Sequence, residues 1–176
     1  MSLLRPDRYV ASIDLIDLDE LAAQGVRCIL FDRDNTVVPR DAMEAPPEVS
    51  AWLDRARAMG LRCIMVSNNW YRDRVRRSAG ELGVEGIHTA MKPLPFNIRR
   101  ACARLGVPPE QAVLVGDQLF TDILGGNLAG VRTILVRPQC ELDVVPMRYL
   151  RSLERRIIGD TPFEGEGAPS EGDDRP

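Results

Sequence analysis

The chain has 176 residues, 44% of them hydrophobic, and a net charge of −3, which suits one domain with a real core and gives no reason to expect a nucleic-acid partner. No run of 18 apolar residues occurs, and the arginines and aspartate of MSLLRPDRYV break any signal-like stretch, so a cytoplasmic protein without a transmembrane segment is expected. Cys28, Cys63, Cys102 and Cys140 form no CxxC pair, which argues against a zinc knuckle or disulfide framework and leaves them as reduced core filler.

From residue 27 onward, short apolar runs alternate with helical patterns, as in βαβ units around a parallel sheet. RCILF (27–31) predicts a strand. PPEVSAWLDRARAMG then predicts a helix, with prolines at its first turn and a closing glycine. LRCIMVS (61–67) is the next strand, YRDRVRRSAGELG the next helix, and residues 86–89 a weaker strand. FNIRRACARLG, AVLVG (112–116), LFTDILGGNLAG and RTILVR (132–137) continue the alternation. MRYLRSLERRII (147–158) places Met147, Leu150, Leu153 and Ile157 on one face and arginines elsewhere, a basic amphipathic helix that either lies on a membrane surface or, the favoured reading, packs its apolar face on the sheet with its arginines in water. The predicted fold is α/β, a three-layer Rossmann-like parallel sheet with no large cap domain. Residues 1–158 form the domain. Residues 159–176 hold six acidic residues against one arginine, with little apolar material, and are expected to be a disordered acidic tail.

Ligands of such sheets bind at the carboxyl ends of the strands, so the segments following 31, 66, 90 and 116 converge. Asp32 and Asp34 are two apart on an extended segment and face one ligand; two close carboxylates need a cation or a shared proton. FDRDNT reads either as a helix cap or as a metal-phosphate site. Asp117 brings another carboxylate to that edge, suited to a hard ion such as magnesium. Asp122 either orients a metal-bound water or favours a helix N-terminus. Ser67 and Asn68 offer a hydroxyl and amides for phosphate oxygens, and Lys92, the single lysine, suits a point charge between phosphate and carboxylates. Singly, the SNN turn reads as an ordinary loop and Lys92 as a solvated surface residue.

Competing chemistries lack their parts. No cysteine is followed by five residues and an arginine, His88 is alone, and no glycine-rich loop follows the first strand. A metal-binding and phosphate-binding regulatory module is the non-enzyme alternative, from which Asp34 discriminates.

FDRDNT, VSN, KP and GDQLFTD, each after a predicted strand, resemble the four motifs of the haloacid dehalogenase (HAD) superfamily phosphatases. LLRPDRYVASI, KPLPFNIRRACARLGV and GDQLFTDILGGNLAGVRTILVRP resemble the YqeG branch of subfamily IIIA, which is related to mitochondrial phosphatidylglycerophosphate phosphatases. The resemblance implies a phosphoaspartate on Asp32, with Asp34 as general acid and base, Ser67 and Lys92 holding phosphate and Thr36 supporting the loop. Mg²⁺ would be held by Asp32, the main-chain carbonyl of Asp34 and Asp117, with Asp122 nearby. Arg33 departs from the apolar residue usual in the family, and its side chain is expected to point away from the aspartates. The 34 residues between Asp32 and Ser67 leave no room for a cap, so the site should be open. Trp70 and Tyr71, leading into Arg72, Arg74, Arg76 and Arg77, suit peripheral contact with an anionic inner membrane face. The expected substrate is phosphatidylglycerophosphate, the alternative a soluble phosphorylated metabolite, nucleotide or phosphoprotein.

Overall fold

The computed structural model describes residues 2–140 and 145–166. Six parallel strands form one sheet in the order β1-β6-β5-β2-β3-β4, where β1 is Arg8–Val10, β2 Cys28–Phe31, β3 Arg62–Val66, β4 Glu85–Ile87, β5 Ala112–Gly116 and β6 Arg132–Val136. The helices are α1 (Leu18–Ala23), α2 (Pro47–Ala58), α3 (Arg72–Glu81), α4 (Phe96–Arg104), α5 (Leu124–Ala129) and α6 (Val145–Ile158).

The predicted strands are all present, and the apolar character of β2, β3, β5 and β6 follows from burial on both faces. Alternate residues serve alternate faces: Ile29, Phe31, Met65 and Val115 pack with α2 and α3. Leu30, Ile64, Val66 and Leu114 pack with α4 and α5. β2, β3 and β4 extend the sheet one way, and the chain then returns to place β5 on the other side of β2. The order therefore switches between β2 and β5, where a crevice opens at the strand ends.

Sequence patterning missed the edge strand β1, whose three residues are too few to show a period, and α1, which Asp17 caps by accepting from the Asp19 and Glu20 amides. LFTDILGGNLAG is not one uniform helix. Leu119–Ile123 forms a π-helical turn before α5, which ends at Gly130 with φ 82°.

Two further expectations are corrected. Residues 159–166 are not a detached tail: Glu164 exchanges backbone hydrogen bonds with Tyr9 (2.9 Å) and Ala11 (2.8 Å) beside β1. Phe163 is buried, edge-on to Tyr9 and beneath the Arg137 guanidinium at 3.8 Å, and this one aromatic anchor offsets the poor composition around it. The rest of the expected tail lies outside the described residues. Helix α6 also turns over. Leu153 and Ile157 are 48% and 50% exposed, while Arg151 and Glu154 are buried; the Met147 side chain lies outside the described residues. Three of the cysteines are buried and all four are free thiols. No helix among the described residues is long and apolar enough to cross a membrane.

Candidate active site

The register of the sheet builds the site. Phe31 lies opposite both Met65 and Val115, so Asp32, Ser67 and Asp117 emerge at the ends of adjacent strands. The Asp32 amide still donates to Val115 O at 3.0 Å, which fixes the depth at which its carboxylate sits.

Lys92 arrives from the loop after β4. Its backbone is locked by the Asn68 side chain: Asn68 Nδ2 donates to Lys92 O at 2.9 Å and Lys92 N donates to Asn68 Oδ1 at 2.8 Å. The Asn68 side chain is thus spent on positioning the lysine, which leaves the expected phosphate contact to its backbone amide. Thr89 and Met91 adopt φ of 51° and 55°, a left-handed backbone that non-glycine residues hold only when their surroundings enforce it. The ammonium lies 2.8 Å from Asp32 Oδ1 and 2.7 Å from Asp122 Oδ1, with all three side chains nearly inaccessible to solvent. Burial by itself pulls the lysine pKa down, yet Asp122 and Asp32 together hold it above its usual value. Lys92 is no solvated surface residue.

Asp122 sits on the π-helical turn, where its Oδ2 accepts from Gln118 N at 3.1 Å. Its Oδ1 lies 2.7 Å from the Lys92 ammonium. Gly116 is what admits the carboxylate, because a Cβ there would collide with it.

Carboxylate oxygens of Asp32, Asp117 and Asp122 lie within 4.8 Å of one another, all buried. Burial pushes Asp32 up to about 6 against the pull of Lys92, and Asp117 up to about 7 against the pull of Arg151. The cluster is short of positive charge. Oxygen donors that crowd and hold protons fit a hard divalent cation. Thr36 Oγ1 donates to Asp117 Oδ1 at a long 3.4 Å, and Gln139 Nε2 donates to Thr36 O at 3.0 Å. Ser67 is buried, its hydroxyl oxygen accepting from Asn69 N at 3.2 Å.

Three residues join the site that the sequence reading left out. Arg33 does not point away: it is buried, with Nε donating to Ser78 Oγ of α3 at 2.9 Å and Nη1 paired with Asp34 Oδ1. A side chain on an extended segment would alternate away from Asp34, but the segment turns at once, Asn35 having φ 62°. Asn69 Nδ2 donates to the other Asp34 oxygen at 3.0 Å. Arg151 of α6 donates from Nη1 to Asp117 O at 2.8 Å and pairs through Nη2 with Asp117 Oδ2. The adjacency of Arg33 to Asp34 and of Asn69 to Ser67 was the available signal for two of them; nothing local marked Arg151 among its neighbouring arginines.

The HAD-hydrolase-like family model matches residues 89–139. The chain is 38% identical over 153 residues to the probable phosphatase YqeG of Bacillus subtilis, covering 87% of this chain and 88% of that protein. It is 30% identical over 145 residues to the chloroplastic phosphatidylglycerophosphate phosphatase 1 of Chlamydomonas reinhardtii, covering 78% of this chain and 54% of the relative. A crystal structure of a HAD phosphatase from Thermococcus onnurineus shares the fold, with a TM-score of 0.57 and 19% identity over 76% of this chain and 98% of that one.

Proposed function

The chain belongs to the YqeG group of HAD-type phosphatases, enzymes that hydrolyse phosphoric monoesters, and from that premise we propose that it works through a phosphoaspartate on Asp32. The observation that carries this reading is the buried ammonium of Lys92 clamped between Asp32 and Asp122 at the sheet's switch point, beside Asp34. Such a group holds Asp32 in place and neutralises incoming phosphate oxygens without reorganising.

In the first step an Asp32 oxygen attacks phosphorus and the bond to the leaving alcohol breaks, Asp34 giving its proton to the departing oxygen. In the second, Asp34 takes a proton from water, whose oxygen attacks the same phosphorus, releasing inorganic phosphate and restoring the Asp32 carboxylate. Two easier steps replace one hard one. Arg33 and Asn69, one on each Asp34 oxygen, are positioning residues that aim it at both. Ser67 and Lys92 hold the phosphate, and Thr36 supports the Asp117 carboxylate. Asp32, Asp117 and the main-chain carbonyl of Asp34, with Asp122 nearby, would hold Mg²⁺, which supplies charge neutralisation for the phosphoryl group. Arg151 pairs with Oδ2 of Asp117, one of the carboxylates that would hold the ion.

For the substrate we propose phosphatidylglycerophosphate, with peripheral contact at an anionic membrane face. The reading is supported by the activity after which the Chlamydomonas relative is named, by the short interval between Asp32 and Ser67, and by the exposed Trp70 and Tyr71 beside the site. Phosphate release from vesicles carrying that lipid, set against soluble phosphomonoesters, is the test. Faster turnover of any soluble member rejects the lipid assignment. Asp32→Asn should abolish hydrolysis of an aryl phosphate while the protein stays folded; retained turnover rejects the nucleophile.

A further inference from the structure

Strand β4 ends the sheet, so among the described residues its outer edge has no strand partner, with α3 packed on one face of the sheet and α4 on the other. Between them lies a cleft of about 460 Å³, lined by Arg72 and Arg76 of α3, Arg100 and Arg104 of α4, and His88 and Thr89 after β4. Among the described residues no carboxylate lines it. Arg104 pairs with Glu85 at 2.8 Å, whereas among the described residues no ion pair involves Arg72, Arg76 or Arg100. Guanidiniums gathered around one concavity repel each other unless an anion joins them, and their planar forks match phosphate oxygens.

The cleft is joined to the catalytic loop. Thr89 N donates to Asn69 O at 3.1 Å, and Asn97 Nδ2 donates to Ala90 O at 3.1 Å, so its floor is the segment that carries Lys92. Around this segment stand side chains that the fold leaves uncovered: Trp70 and Tyr71 after β3, 79% and 72% exposed, and Met91, Leu94 and Phe96 leading into α4. A free phosphate would need the arginines and not the aromatic rim. A lipid headgroup needs both, with charge on its phosphate and amphipathic rings at the level of the bilayer surface.

We infer that the arginine-lined cleft at the free edge of β4 is a second anion site, which binds the phosphodiester headgroup of an anionic phospholipid and seats the molecule on a bilayer beside its catalytic loop. The inference deepens the lipid-phosphatase reading and rests on it only for orientation; the cleft itself does no chemistry. A bilayer of phosphatidylglycerol carries no phosphomonoester, so binding is measured without turnover. Failure of binding is therefore distinct from failure of catalysis.

The test uses the intact chain with vesicles of phosphatidylcholine alone or with about a third phosphatidylglycerol. Tryptophan emission is the readout, because Trp52 is buried and a blue shift reports Trp70. The expected result is a blue shift and sedimentation with the phosphatidylglycerol vesicles only, weakened by high salt. Arg76→Gln and Arg100→Gln should each lower the affinity about fivefold, and Phe96→Ala should lower it without altering the salt dependence. Because these side chains are exposed, the variants should melt with the parent. Equal binding to neutral vesicles, or affinities insensitive to both arginine substitutions, overturns the site. Arginine-dependent binding of inorganic phosphate or glycerophosphoglycerol with no vesicle association reassigns the cleft to a soluble anion and overturns the lipid inference.

Discussion

Arg33 and Gly116 illustrate how single residues set the site at different removes from the chemistry. Arg33 ties α3, through Ser78, to the residue proposed as general acid and base. Arg33→Met should leave KM for an aryl phosphate within about threefold and lower kcat by ten- to a hundredfold, since a small misplacement of a reacting group carries that cost. Ser78→Ala, which loosens the anchor and keeps the pair, should fall between the two. Equal kcat values in all three proteins would dismiss a positioning role. Gly116 acts by having no side chain. Gly116→Ala pushes the Asp122 carboxylate from its place beside Lys92, and the expected outcome is a lowered melting temperature with loss of turnover. Unchanged Mg²⁺ affinity and rate in that variant would show that Asp122 is not needed where it stands.

Among the elements, β2, β3, β5 and β6 were legible because burial on both faces writes itself as continuous apolar runs, and α2 to α5 because each closes on a glycine. Helix α6 was misread for the opposite reason. Its apolar spacing implied that Leu153 and Ile157 face inward, but an uncompensated carboxylate at Asp117 is a stronger demand than two aliphatic side chains, and it draws Arg151 inside. Glu154 follows one turn later, where it accepts from Phe120 N at 3.2 Å. Periodicity counts apolar residues and cannot see a charge elsewhere in the chain that needs a partner. Removing one member of a buried pair costs about 3–5 kcal/mol, so Arg151→Gln should melt well below the parent in EDTA. With saturating Mg²⁺ the gap should narrow, and the variant should bind Mg²⁺ more tightly because its competitor for Asp117 is gone. A gap that Mg²⁺ leaves untouched would mean that metal and arginine do not share this carboxylate.

The whole molecule carries the charge imbalance of the site as a pH dependence. Asp32 and Asp117 are raised to about 6 and about 7, and burial raises Glu154 as well, so between pH 4 and 7 the metal-free native state holds more protons than the unfolded chain. Stability must then fall as pH rises through that window. Glu164 and Glu166, lowered by Arg8 and Arg137, act with the opposite sign but below their usual range. The expected outcome is a higher melting temperature at pH 5 than at pH 7.5 in EDTA, with Mg²⁺ raising the value more at pH 7.5, because binding displaces the protons. A melting temperature that climbs from pH 5 to 7.5 without metal would contradict the geometry. The four motif segments at one sheet edge were foreseeable from strand spacing alone, whereas the direction of the pH response was not, since it depends on how deeply the carboxylates sit.

The position of Arg151 in the chain has a consequence for how the protein is made. Asp32, Lys92, Asp117 and Asp122 have all been synthesised before α6 begins, and the strands that present them are complete by residue 136. Helix α6 is the last helix to be made, so the guanidinium that pairs with Asp117 is the last part of the site to arrive.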